Sequence, residues 1–236
     1  ALPIFSRRGC RVIPVTGRPA GWCDCIVRQW PVAAVVGENG AFAYYLEEGR
    51  RREILHPNVV FDAEARLFAL RDRILREIPG SRVAGDQPFR RFDLALDFAE
   101  EEPPLGMETA EEIVRFCRDA GAEAKISSIH VNAWFGSYDK VSMSLIALER
   151  LFGETDPETG VLFCGDSPND EPMFARFPRS CGVANIRKFA SGMRHLPAFV
   201  TESSGGRGFR ELADRLIGFR DFGRSSVTKG ENSIRM

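Results

Sequence analysis

Two aspartates, Asp166 and Asp170, lie four residues apart in the segment "GDSPND", directly after the apolar run 161–164. Neighbouring carboxylates repel each other and raise each other's pKa unless a cation offsets their charge. Mg²⁺ prefers hard oxygen ligands of this kind. The pair therefore predicts a Mg²⁺ site. The alternative is a helix start, because Asp, Ser and Asn are all favourable N-cap residues.

Three further residues could bind a phosphate group near this pair. Thr16 ends the apolar run 11–16, and Gly17, which follows it, lets the backbone approach a ligand closely. Lys140 begins a predicted helix and can place a cation on the same phosphate. Each feature alone is more typical of a turn or a solvated helix start, but together they predict a phosphate site.

The elements that position these residues have an α/β pattern. The runs 11–16, 32–36 and 161–164 are short and almost wholly apolar, as in strands buried on both faces of a parallel sheet. Residues 140–152 form an amphipathic helix pattern. A doubly wound parallel sheet binds its ligands beyond the carboxyl ends of its strands. This architecture predicts that Thr16 and Asp166 lie near each other.

A second unit is inserted between the second and third of these runs. Helical patterns over 63–78 and 109–120 are each followed by strand patterns, so the predicted order is α-β-β-α-β-β. We therefore expect a core domain formed by residues 1–46 and 136–236, and an inserted α+β domain formed by residues 47–135.

One face of the inserted sheet is predicted to look onto the phosphate site. The apolar side chains of Phe92, Leu94, Leu96 and Phe98 alternate with polar ones, so the inserted helices should cover the apolar face. Acids, amides and an aromatic ring on the other face would suit a polyhydroxylated leaving group such as a sugar, although a solvated polar face is the simpler alternative. The residues of that face are Arg91, Asp93, Asp97, His130, Asn132 and Trp134.

The composition bounds the possible partners. The chain has 236 residues, 44% of them hydrophobic, and a formal net charge of −1. This balance gives no bulk electrostatic reason to expect binding to nucleic acid or to an anionic membrane. No apolar run approaches the roughly 20 residues that a membrane-spanning helix needs. Six scattered cysteines fit a reducing cytosol, so we expect a cytoplasmic protein.

The order of "VTGRP", "ENGAF", "DK" and "GDSPND" resembles that of the haloacid dehalogenase-like (HAD) superfamily. The resemblance is to subfamily IIB, the Cof-type sugar-phosphate phosphatases, in which a cap domain interrupts a Rossmann-like core between the second and third motifs. It implies that Thr16 and Lys140 bind the transferred phosphoryl group, and that Asp166 and Asp170 hold Mg²⁺. It also implies that Asn169 contacts the phosphate or orders its loop. Gly17 joins the phosphate-binding candidates, and Arg18 joins the candidate substrate contacts.

The sequence departs from this family in one respect. The first motif, D-x-D-x-T/V, which carries the nucleophilic aspartate and the general acid/base, does not occur in it. The missing βα unit would be about 30 residues long. We expect this unit to lie N-terminal to the chain; a degenerate, non-catalytic homologue and a strand supplied by a partner chain are the alternatives.

The resulting expectation is a Mg²⁺-dependent phosphatase, monomeric or homodimeric, that hydrolyses a small phosphorylated metabolite, a sugar phosphate in particular. The reaction would pass through an aspartyl-phosphate. An inactive protein that binds a phosphorylated ligand and a phosphomutase are the alternative functions.

Overall fold

The computed structural model describes residues 1–227, with side chains described through residue 218. The α-helices of this part are α1 (Leu2–Arg7), α2 (Ala20–Gln29), α3 (Glu64–Glu77), α4 (Met107–Asp119), α5 (Lys140–Phe152), α6 (Pro157–Gly160), α7 (Glu171–Arg176) and α8 (Gly205–Val227). The strands are β1 (Val35–Gly37), β2 (Phe42–Glu47), β3 (Arg50–Leu55), β4 (Arg82–Val83), β5 (Asp93–Asp97), β6 (Glu123–Ile126), β7 (His130–Trp134), β8 (Phe163–Gly165), β9 (Ser180–Gly182) and β10 (Phe199–Val200). The predicted α/β class is confirmed.

The run 11–16 is extended and lies parallel to β1. The Val36 N–H donates to the Pro14 carbonyl, and the Thr16 N–H donates to the Val36 carbonyl, both at 2.9 Å. Val15 and Val36 form the only bridge of this pair within the described residues. Because Pro14 has no N–H to donate, this segment makes a short ladder. The pairing holds Thr16 at the carboxyl end of the run, as predicted.

The sheet around β1 is antiparallel on its other side. β2 pairs with both β1 and β3, so the strand order is β1-β2-β3. α2 contacts one face of this sheet, and α5 contacts the other through Met143 and Ala147. β3 thus belongs to the core layer, and the inserted unit begins after Leu55 rather than at residue 47. The two apolar faces bury the sheet on both sides.

A second, parallel sheet completes the core. Its strand order is β10-β9-β8, with β8 pairing Phe163 with Ser180 and Gly165 with Gly182. Within the described residues no ladder joins β8 to the extended run 11–16. A gap therefore separates the two halves of the core, and Leu162 beside it is 39% exposed. This exposure is unusual for a parallel α/β sheet, whose strands are normally covered on both faces.

The inserted unit, which we call the cap (α3 through β7), follows the predicted α-β-β-α-β-β order. Its four strands form an antiparallel sheet in the order β4-β5-β7-β6. α3 and α4 cover one face, where they bury Leu94, Leu96 and Phe98. Phe92 differs from the prediction: it lies before β5 and packs against Trp134 and core residues instead. Because α3 and α4 cover one face of the cap sheet, its opposite face is the one turned toward the core.

No helix among the described residues has both the length and the apolar character needed to cross a membrane.

Candidate active site

A cavity of about 1420 Å³ lies where the cap meets the carboxyl ends of the core strands. It brings together most of the residues that the sequence predicts to be functional. The predicted residues that line it are, from the core, Thr16, Gly17, Arg18, Lys140, Asp166, Asn169 and Asp170, and, from the cap, His130 and Asn132. The structure therefore places residues from widely separated parts of the chain around one space.

The acidic segment forms a tight loop after β8. Asp170 Oδ2 accepts hydrogen bonds from the N–H groups of Asp166 at 3.0 Å and of Ser167 at 3.4 Å. A Cβ atom on Gly165 would lie 2.8 Å from Asp170 Oδ2, so only glycine allows this approach. Asp170 thus organises the loop through one oxygen. The two interpretations of the acidic segment, loop capping and ligand binding, apply to the same side chain.

Lys140 lies beside this loop because of the way α5 begins. Asp139 caps the helix: its Oδ1 accepts a hydrogen bond from the Ser142 N–H at 2.7 Å. The Lys140 ammonium then lies 3.0 Å from Asp170 Oδ1, and the two side chains are only 11% and 10% exposed. Gly40 has a φ of 111°, and a Cβ there would lie 2.0 Å from the Asp139 carbonyl. The "ENG" turn therefore fits directly against the start of α5.

The charges at the loop suit a divalent cation. Partial burial and then the negative charge of Asp170 raise the pKa of Asp166, and the Lys140 cation opposes this rise. A cation next to both carboxylates would relieve the same repulsion. Among the described residues no three His, Cys, Asp or Glu side chains form a metal cluster. Two carboxylates fit Mg²⁺, which usually keeps several waters and takes one or two carboxylates together with phosphate oxygens.

The Thr16–Arg18 loop is held from the cap side. Thr16 Oγ1 accepts a hydrogen bond from the Arg18 N–H at 3.1 Å, and the Gly17 carbonyl accepts one from Arg90 Nη1 at 2.9 Å. The Arg90 side chain is fully buried and pairs with Asp93 at 2.9 Å and Asp86 at 3.0 Å. Sequence reasoning did not find Arg90, because an arginine before a strand has no distinguishing pattern.

Asp93 connects this arginine to the "ENG" turn. Its Oδ2 accepts hydrogen bonds from the side-chain amides of Asn39 at 3.3 Å and Asn132 at 3.2 Å. Glu38 is fully buried and accepts hydrogen bonds from the backbone N–H groups of Ala20 at 2.8 Å and Phe92 at 2.7 Å. Burial, followed by the charge of Asp93, raises the pKa of Glu38 to about 8. A buried polar network therefore joins cap and core beside the cavity.

The candidate substrate residues of the cap separate into two groups. His130 and Asn132 line the cavity, and His130 Nε2 lies 2.7 Å from Glu100 Oε2. Arg18, on the core side, lies 3.4 Å from Asp86 and 3.7 Å from Glu100, so it spans the entrance between the two units. These three side chains can contact a ligand in the cavity.

Asp97 and Trp134 do not line the cavity, contrary to expectation. Asp97 pairs with Arg82 at 2.6 Å and accepts hydrogen bonds from the backbone N–H groups of Ala99 and Glu100. Trp134 is 1% exposed and stacks on Tyr138 with the ring centroids 5.7 Å apart. They lie on the predicted face, but at opposite ends of the strand pair. Local contacts therefore occupy both side chains.

Below the phosphate residues, the cavity extends into the gap between the two core sheets. One wall is residues 11–15, and the other is residues 161–164. Both walls are mostly apolar, and the half-buried side chains of Val12, Ile13 and Val15 belong to the first. The gap has the composition expected of neighbours to a buried parallel strand.

No protein-family model matches the chain, and no curated protein sequence matches it. Solved structures do. A protein from Thermoplasma acidophilum has a TM-score of 0.69 and 18% identity, over 91% of this chain and 86% of that one. A phosphatase of the haloalkanoate (HAD) enzyme superfamily from Bacteroides thetaiotaomicron has a TM-score of 0.60 and 17% identity, over 91% and 84%.

A sugar phosphatase of HAD subclass IIB has a TM-score of 0.61 and 12% identity, over 91% of this chain and 88% of that one. The chain has the HAD fold. The match extends over both the core and the cap, so the HAD likeness inferred from four short motifs holds for the described architecture as a whole.

Proposed function

We propose that this protein is a Mg²⁺-dependent HAD phosphatase that hydrolyses a small phosphomonoester. The observation that carries the proposal is the contact between Lys140 and Asp170 at 3.0 Å, in a cavity that Thr16 and Asp166 also line. A cation, a hydroxyl group and paired carboxylates at the carboxyl ends of core strands can together bind a phosphoryl group and its metal ion.

The chain's own groups have separate tasks in this proposal. Thr16 Oγ1 and the Lys140 ammonium bind and orient the phosphoryl oxygens and offset the charge that develops on them. Asp166 and Asp170 would hold Mg²⁺, which supplies further charge neutralisation when bound. Asn169 lines the same cavity, and we assign it to phosphate contact or loop order. The cap excludes water and contacts the leaving group.

The proposed nucleophile is an aspartate on a further β-strand, which would fill the gap between residues 11–15 and 161–164. Such a strand would end beside Thr16 and Asp166, where parallel strands of the core end. The aspartate attacks the phosphorus in line, the alcohol leaves with a proton from a second acid, and water then hydrolyses the aspartyl-phosphate.

Several observations support a sugar phosphate as the substrate. Arg18, His130 and Asn132 offer polar groups to a ligand in the cavity, and a structurally similar protein is a sugar phosphatase. The six cysteines are free thiols, which supports a cytoplasmic location within the same proposal. A phosphorylated metabolite is the only partner that the proposal needs.

Phosphate release from p-nitrophenyl phosphate by the full-length protein tests the proposal. We expect release that stops with EDTA and returns with Mg²⁺. Lys140→Met should lower kcat/KM by about 10²-fold, since it removes a positioned charge. Lys188→Met, at an exposed lysine, is the matched control. Binding of phosphate without turnover would instead favour the inactive homologue, which the missing D-x-D motif makes the second candidate. Transfer to an added sugar phosphate, with little release, would favour a phosphomutase.

A further inference from the structure

Lys125 lies on the face of the cap sheet that looks toward the core. Within the β6–β7 ladder it is opposite Asn132, while its neighbour Ala124 is opposite Ala133. Ala124 and Ala133 belong to the apolar cluster under α3 and α4. Since successive strand residues point to opposite faces, Lys125 and Asn132 share the face that lines the candidate active site.

A second cavity adjoins the first at this point. Its volume is about 910 Å³, and it lies between the cap, near α4 and β6, and the core segment that includes α7. Asn169 lines both cavities, so the second lies next to the phosphate site. Asn169 Oδ1 is buried and accepts no hydrogen bond from the described part of the chain. A ligand that extends from the phosphate site past Asn169 would enter this second space.

The charge of this second cavity is predominantly positive. Its basic residues are Arg115, Arg118, Lys125 and Arg194, with His195, against Glu111 and Glu171. Glu171 Oε1 already accepts hydrogen bonds from the backbone N–H groups of Arg194 at 2.6 Å and His195 at 2.9 Å. Glu111 is exposed on α4. The two acids that line this cavity therefore do not balance its cations.

Lys125 itself forms no direct ion pair with any described residue. Across the side chains that the structure describes, its ammonium makes neither an ion pair nor a hydrogen bond, although the residue is half-buried. Burial lowers the pKa of Lys125; the charges of Asp139 and Glu123 oppose this, and the nearby cations Lys140 and Arg118 add to it. A partly desolvated cation beside other cations is unfavourable unless an anion joins it.

We propose that Lys125, together with Arg118, forms an anion subsite for the leaving group of the substrate. The Arg118 guanidinium donates to the Ala124 carbonyl at 3.2 Å, which holds it next to Lys125. The preferred substrate then carries, besides its phosphomonoester, a second oxyanion: a carboxylate or another phosphate. This inference rests on the proposed function, because it takes the Thr16–Lys140–Asp166 region as the site of the first phosphate.

Calorimetric binding of phosphonates to the full-length protein with Mg²⁺ tests this subsite, since phosphonates resist hydrolysis. The probes share a phosphonate and an alkyl spacer of three to six carbons, and end in a hydroxymethyl, a carboxylate or a second phosphonate group. We expect one or both anionic ends to bind at least about tenfold more tightly than the hydroxymethyl end, the size of one charge-assisted hydrogen bond. The better anionic end identifies the second oxyanion.

Variants test whether Lys125 is responsible for the preference for the anionic probes. Lys125→Met should abolish it while the affinity for the hydroxymethyl probe changes little, Lys125→Arg should retain most of it, and Lys188→Met should leave it unchanged. Equal affinities at every spacer length in the wild type would overturn the subsite alone. A preference that survives in Lys125→Met would overturn the assignment to Lys125. Failure of all the probes to bind would overturn the phosphate site of the proposed function, and the subsite with it.

Discussion

Replacing Arg90 by methionine should cost more stability than replacing any exposed arginine of the cap. The Arg90 side chain is fully buried, with ion pairs to Asp93 at 2.9 Å and Asp86 at 3.0 Å and a hydrogen bond to the Gly17 carbonyl at 2.9 Å. Methionine keeps much of the side-chain volume but leaves Asp93, also fully buried, without its cation. Breaking one partner of a buried pair costs about 3–5 kcal/mol.

That free energy corresponds to a fall of roughly 6–20 °C in Tm for a chain of this length. Urea denaturation followed by circular dichroism, together with a thermal melt, measures it. Arg91→Met is the matched control: Arg91 is the adjacent arginine, its side chain is 41% exposed, and it pairs with Glu53. An exposed pair is worth about 0–1 kcal/mol, so this variant should stay close to wild type.

A double variant separates the lost ion pair from lost packing. In Arg90→Met/Asp93→Asn the uncompensated charge is gone, while the side-chain amides of Asn39 and Asn132 can still donate to the carbonyl oxygen of the newly introduced amide. The double variant should therefore be more stable than Arg90→Met alone by at least about 1 kcal/mol. Equal losses for Arg90→Met and Arg91→Met, or no recovery in the double variant, would refute the view that Arg90 serves to neutralise buried Asp93.

Three further results are expected. The pKa of Glu38 is raised from 4.5 to about 8, so its contribution to stability is complete below pH 4.5 and declines as the pH rises through about 8. The difference in unfolding free energy between wild type and Glu38→Gln, measured by urea denaturation, should therefore fall between these pH values. A difference that does not change with pH would contradict the raised pKa. Asp166→Asn should weaken Mg²⁺ binding, measured by calorimetry, by at least about tenfold, because it removes one of two carboxylate ligands; an unchanged affinity would exclude Asp166 as a ligand. Asn132→Ala should raise KM for a sugar phosphate more than KM for p-nitrophenyl phosphate in steady-state assays. Asp97→Ala should lower Tm and leave the ratio of the two KM values unchanged. A larger change of this ratio for Asp97→Ala than for Asn132→Ala would show that Asp97 contacts the substrate.

The parts of the fold that the sequence predicted correctly have strong local signals. The cap strands alternate apolar and polar residues, and the helices before them have apolar stripes, so the α-β-β-α-β-β order could be predicted. The acidic loop and Lys140 follow the ends of apolar runs, and the parallel sheet brings such ends together. For the same reason the placement of Thr16 could be expected from its position after the run 11–16.

The boundary of the cap could not be predicted in the same way. β2 and β3 form a hairpin whose turn, at Glu48 and Gly49, has φ values of 51° and 74°. Its outer half is polar, since the segment 47–53 contains mostly Glu and Arg. This composition is typical of a surface linker, and it hides the pairing of β3 with β2. Only the return of apolar side chains at Ile54 and Leu55 indicates that the strand continues the core sheet.

The roles of Asp97 and Trp134 illustrate a limit of strand periodicity. Alternation assigns a side chain to a face, and on this point the sequence was a sufficient guide. It gives no information about the position along the strand at which a cavity begins and ends. Asp97 lies opposite His130 at one end of the β5–β7 ladder, and Trp134 lies opposite Asp93 at the other. Arg82 and the backbone of Ala99 and Glu100 occupy Asp97, and Tyr138 stacks on Trp134; the alternation pattern does not show these contacts.

The buried network implies where the cap can move relative to the core. Glu38 accepts hydrogen bonds from the backbone N–H groups of Arg91 and Phe92, and Arg90 donates to the Gly17 carbonyl, so four hydrogen bonds fix the chain just before β5 to the core. Opening the cap as one rigid body would break all four and leave Glu38 with only the Ala20 N–H as a donor, and an under-satisfied buried carboxyl group is costly. A smaller movement, in which this segment stays with the core while α3, α4 and the outer strands tilt, would preserve the network. The longer contacts of the part-exposed Arg18 with Asp86 and Glu100 at the cavity entrance are then the ones we expect to open when a substrate enters.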